Sequence, residues 1–184
     1  MKNFTYTLLF FFFAGTLLLS SCKKDDTSKP VKDTVYTTVS LKFTNKANSS
    51  DVQTITYQDM DGAGPQLPTF STLKLKPFAE YTVEVVAVMD ESTSPSTDLL
   101  SNVRKDSKNY LFVYEVFQAN LGFSITNYDS ENKLFGTEAR ANTGQISNGN
   151  FIFRLLKDPE SKEPTVAEFK GTTLFEYTFP LEIK

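Results

Sequence analysis

The stretch TLFEYTFPLEIK at residues 173–184 alternates strictly. Phe175, Tyr177, Phe179, Leu181 and Ile183 fall on one side, and Glu176, Thr178, Glu182 and Lys184 on the other. A helix would scatter these apolar side chains around its surface, whereas a strand places them on one face. The same period recurs upstream. VYTTVSLKF puts Val35, Val39, Leu41 and Phe43 on one face, and EYTVEVVAVMDE does so with Tyr81, Val83, Val85, Ala87 and Met89. VQTITYQD, FSTLKLKPF, LGFSITNYD and GNFIFRLLKD read as further strands, separated by turn-forming NKANSSD, MDGAGPQLP and SENKLFG.

Some segments deviate from simple alternation. YLFVYEVF is apolar on both sides, as expected of a central strand. TEARANTG is polar and weak, as expected of an edge. Pro180 lacks an N–H, which predicts that the last strand lies at an edge or bends there. LLSNVRKDSKN has helical spacing at Leu99, Leu100 and Val103, with Thr97 or Asp98 as its cap. PESKEPTVAEFKG reads as a long polar loop. The expectation is an all-β fold: an antiparallel β-sandwich, immunoglobulin-like in the loose sense, with eight or nine strands and at most one short helix. A closed barrel is the alternative. No repeat of fixed period is present.

The core must form without cross-links, because Cys22 is the only cysteine. It follows Lys2, an apolar run from Leu8 to Leu19 of about a dozen residues, and the small residues Ser20 and Ser21. That run falls short of the roughly 20 residues that span a bilayer as a helix, so the layout is that of a removable secretory signal. Leu19-Ser20-Ser21-Cys22 resembles the lipobox of bacterial lipoproteins. The resemblance implies cleavage before Cys22, a diacylglycerol on its sulfur and a further acyl chain, of the palmitate kind, on the new amine. One acyl chain holds a protein weakly at a membrane, and several hold it firmly. Lys23, Lys24, Asp25 and Asp26 follow. They are similar to the lysine-and-acid start of Bacteroidota lipoproteins, which is associated with export to the outer face of the outer membrane. The periplasmic face is the alternative.

The organisation expected is thus a signal at residues 1–21, a lipidated tether at 22–34 and one β-sandwich domain at 35–184. The polar tether with Pro30 could lift the domain by about 40 Å, at roughly 3.3 Å per residue. Loss of residues 1–21 moves the formal charge from −3 to −4, because Lys2 is the one charged residue removed. Nothing in that balance favours nucleic acid. The chain has no histidine and no tryptophan. Histidine triads, and zinc or haem sites that need histidine, are therefore excluded, and a lipidated Cys22 leaves no thiol nucleophile.

VSLKFTN, DVQTITYQDMDGAG, FSITNYDSENKLFGTEARANTG and EYTFPLEI together resemble a group of small Bacteroidota outer-membrane lipoproteins. The resemblance brings no established activity. Some of its members carry a histidine at about Lys108 to Tyr110, and this chain does not. It implies a lipid-anchored, non-catalytic binding or accessory protein, partnered with an outer-membrane transporter. The alternatives are a structural or adhesive surface module, and a hydrolase built on carboxylates. No cofactor is expected.

Four sets of residues are candidate sites. Asp59 and Asp61 alternate ahead of Gly62 and Gly64, as calcium ligands do, but the positions of Ala63 and Phe70 do not supply the remaining oxygens. A turn capped by the aspartates is the competing reading. Glu115, inside a strand, is a general acid or base, the partner of Arg154 or Arg140, or a residue on an open sheet face. Met60 and Met89 could ligate a soft metal or haem, although Met89 fits a core stripe. Tyr57, Tyr110, Tyr114, Tyr128 and Tyr177 could form a ligand platform.

Overall fold

In a computed structural model describing residues 34–62 and 64–184, every segment with period-two alternation forms a strand. They run β1 (Thr38–Asn45), β2 (Val52–Gln58), β3 (Thr69–Phe70), β4 (Leu73–Leu75), β5 (Glu80–Asp90) and β6 (Thr97–Asp98). After helix α1 (Leu99–Lys105) and a 3-10 turn at Ser107–Asn109 come β7 (Tyr110–Phe117), β8 (Leu121–Ile125), β9 (Glu138–Thr143), β10 (Ser147–Lys157) and β11 (Thr172–Ile183). The larger sheet has the order β3-β2-β1-β5-β9-β8, with β6 added to β5, and the smaller has the order β4-β11-β10-β7. The fold is an all-β sandwich. It has eleven strands among the described residues, against the eight or nine expected. The excess has a local cause: FSTLKLKPF divides into β3 and β4, and two residues before α1 pair with β5 as β6. All pairings are antiparallel except β4 with β11.

Between the sheets, Phe43, Phe112, Phe151, Phe153 and Phe179 are fully buried. Phe43 comes from the larger sheet and the other four from the smaller, so aromatic volume fills the gap. A second, smaller apolar cluster lies outside the smaller sheet: Leu111, Val113, Leu134 and Leu156, with Ile125 and Phe169 packed against them. Helix α1 starts as its sequence suggests, with Asp98 accepting the Ser101 amide at 3.0 Å, and buries Leu100 and Val103.

Two strand placements differ from expectation, and for a third the edge alternative fails. β7 lies at the edge of its sheet, not the centre. Its two apolar faces arise because Phe112, Tyr114 and Val116 face the core, while Leu111 and Val113 lie under connecting loops. β9 lies between β5 and β8, not at an edge. Its buried side is made of small Ala139 and Ala141, which weakens its hydrophobic signal. β11 is also interior. Pro180 stands exposed opposite Asn150, one residue before the pairing with β4 begins at Leu181.

In β5 the alternation breaks. Val85 pairs with Leu41 and Ala87 with Ser40, so Val86 is an extra residue. Beyond it the faces exchange: Val88 and Asp90 turn inward, and Met89 is only half-buried. Met89 therefore leaves the core stripe expected of it.

Candidate functional site

The two sheets part along one side. There β7 ends the smaller sheet and β8 ends the larger. The turn joining them fits closely over β10. A Cβ on Gly149 would run into the carbonyl oxygen of Phe117, so only glycine lets the chain pass there. At the other end of the opening, residues 126–137 fold across β7. Asn127 fastens this segment: its Oδ1 accepts the amides of Gly136 at 3.0 Å and Glu138 at 3.1 Å, and its Nδ2 donates to Thr137 Oγ1 at 2.6 Å. Gly136 has φ of +88°, and a Cβ there would meet the carbonyl oxygen of Phe112. Gly136→Ala is expected to lose about 1–3 kcal/mol of stability, from the strained backbone and that collision. Urea denaturation checks it, and a variant as stable as the parent would count against this packing.

The opening holds a cavity of about 440 Å³. From β7 come Val113, Tyr114 and Glu115, and from β8 Phe123, Ser124 and Ile125. Tyr128 and Leu134 close one side, and Ala167, Glu168 and Phe169 form part of a roof. The Tyr114 and Phe123 rings lie 5.1 Å apart and rest on Phe151, 5.0 Å behind Phe123. Tyr114 is also fixed at its far end, where its hydroxyl donates to Gly136 O at 2.7 Å. Burial, with a smaller contribution from the Glu138 charge, pushes that hydroxyl far above the ordinary tyrosine value. It therefore stays protonated and serves as a fixed wall.

The roof is held by a buried ion pair. The Lys162 ammonium meets Asp129 Oδ2 at 2.5 Å, with side-chain exposures of 7% and 1%. It also donates to the carbonyl of Ser107 at 2.9 Å. Asp129 Oδ1 accepts the amides of Glu131 at 2.8 Å and Lys133 at 3.0 Å. The pair ties residues 158–171 to both the 3-10 turn and the 126–137 segment.

The structure separates the sequence candidates. Glu115 pairs with Arg154 on the outer face, and Arg154 also reaches toward Glu176 at 3.8 Å. Arg140 pairs with Glu80 instead. At 43% exposure, Glu115 is not the buried charge that its strand position suggests. The tyrosines do not form one platform. Tyr114 and Tyr128 border the cavity, Tyr57 and Tyr177 stack on each other at 3.5 Å, and Tyr110 packs on the main core. Met60 is exposed, with its sulfur accepting from Gln58.

Asp59 and Asp61 sit in a tight turn, where Asp61 Oδ2 accepts the Gln66 amide at 3.1 Å and Tyr57 donates to Asp59 Oδ2 at 3.2 Å. The Oδ1 atoms of both are shielded without a hydrogen-bond partner among the described residues. Two carboxylates fall short of the six to eight oxygens that calcium takes. Among the described residues, no group of three or more acidic or cysteine side chains is placed to hold a metal, and no helix is long and apolar enough to cross a membrane. Residues 19–26, with Cys22, lie outside the described residues.

Glu168 and Phe169 lie in a segment whose composition is that of a polar loop. The one available signal was Phe169 itself, a lone aromatic among charged and small residues. No family model, no curated protein and no solved structure matches this chain. The fold and the site together define a two-sheet β-sandwich with an aromatic and acidic cavity at its open side.

Proposed function

We propose that this protein is a lipid-anchored, non-catalytic binding protein of the outer membrane, exposed on the cell surface, whose ligand enters the cavity between β7 and β8. The observation that carries the binding role is the cavity. Its volume lies within the roughly 300–1,000 Å³ range of small-molecule sites, and its lining combines apolar rings with a few polar groups. The anchor rests on the run from Leu8 to Leu19 followed by Ser20, Ser21 and Cys22. An accessory role beside an outer-membrane transporter rests on resemblance alone.

Cys22→Ala is expected to shift the protein from the membrane fraction to the soluble fraction, because the lipid attachment point is gone. An unchanged membrane-bound share would overturn the anchor. Protease treatment of intact cells separates the outer from the periplasmic face. The hydrolase alternative has one point in its favour, since Glu115 and Glu168 line one cavity. The hold of Arg154 on Glu115 favours binding over catalysis.

A further inference from the structure

The cavity's chemistry narrows its ligand. Taking this cavity as the binding site, we propose that it receives an organic cation, an ammonium group carried on a small apolar body. Four aromatic side chains border it: Tyr114, Phe123, Tyr128 and Phe169. Aromatic ring faces are electron-rich and attract cations, more strongly where water is excluded. The charged groups of the lining are both carboxylates, Glu115 and Glu168, and no lysine or arginine is among the lining residues.

One of these negative charges, that of Glu168, has no ion-pair partner among the described residues, while Glu115 is held by Arg154. Arg154 is shared between Glu115 and Glu176, so that group of three keeps one net negative charge. An anionic ligand would meet like charges. A purely apolar ligand would leave the Glu168 charge at the cavity without a partner. An ammonium with an apolar body satisfies both kinds of wall.

The test is titration of the full-length protein, in non-ionic detergent micelles, with three probes of similar shape. They are phenethylammonium, 2-phenylethanol and 3-phenylpropionate, followed by calorimetry against protein-free micelles. The ammonium is expected to bind about tenfold more tightly than the alcohol, with the carboxylate weakest. Added salt should weaken the ammonium alone. Glu168→Gln, at an exposed position, should reduce ammonium affinity about threefold to fivefold and leave the alcohol unchanged. Equal binding of alcohol and ammonium would overturn the cation assignment while leaving a binding cavity in place. Binding of none of the three would overturn the cavity reading as well. Ammonium binding unaffected by both Glu168→Gln and Tyr128→Leu would place it elsewhere and also overturn the proposal.

Discussion

Lys162→Met is expected to destabilise the domain by roughly 3–5 kcal/mol, because it leaves the Asp129 carboxylate buried without its cation. The two side chains are 7% and 1% exposed, so water cannot substitute. The ammonium also serves the Ser107 carbonyl, which loses its donor in the same variant. Urea denaturation measures the loss. The paired variant Lys162→Met with Asp129→Leu should recover a good part of it, since a matched apolar pair has no buried charge. If the single variant costs under about 1 kcal/mol, the pair behaves as an exposed one and the roof is not held this way.

The same pair gives a pH signature. Burial works to raise the Asp129 pKa, but the Lys162 ammonium and the amides of Lys133 and Glu131 outweigh it, and the net result lies below the ordinary aspartate value. A carboxyl lowered on folding contributes stability that is complete above its unfolded value, near 3.9. That contribution disappears as pH falls through the lower folded value. The gap in stability between the parent and Asp129→Asn should thus be constant near neutrality and narrow below about pH 4. A gap that widens in acid would mean the opposite sign of shift.

Much of the fold is legible from periodicity alone, and the failures have definite causes. Period two reports whether a side of a strand is apolar, not what covers it. The outer face of β7 is apolar because connecting loops lie on it, and that looks the same in sequence as a central strand. A bulge is invisible to a counted period: Val86 shifts the faces of β5, and Met89 moves out with them. β9 hides its interior position behind alanines. The site is less legible than the fold. Tyr114, Tyr128 and Glu115 stand out as residue types, but their meeting depends on which strands end the two sheets. The roof depends on Lys162, whose burial no polar-loop composition would suggest.

Phe151→Ala tests whether the core and the cavity are one structure. Phe151 is fully buried, with its ring 6.2 Å from Phe43 of the opposite sheet, 5.9 Å from Phe179 and 5.0 Å from Phe123. Removing it deletes its contacts with Phe43 and Phe123 across the sheets and leaves a void that fully packed neighbours cannot fill. Phe→Ala at such a site costs about 3–5 kcal/mol. The loss is directional, because Phe123 and Tyr114 rest on this ring from the cavity side. Amide exchange should therefore accelerate first in β7 and β8, ahead of β2 and β3 on the far side of the sandwich. Ile146→Ala provides the comparison. Ile146 is 72% exposed, and its loss should change stability by no more than about 0.5 kcal/mol. Equal costs for the two variants would mean that the aromatic core does not hold the sheets together. A uniform rise in exchange across all strands would mean that the cavity walls have no special dependence on it.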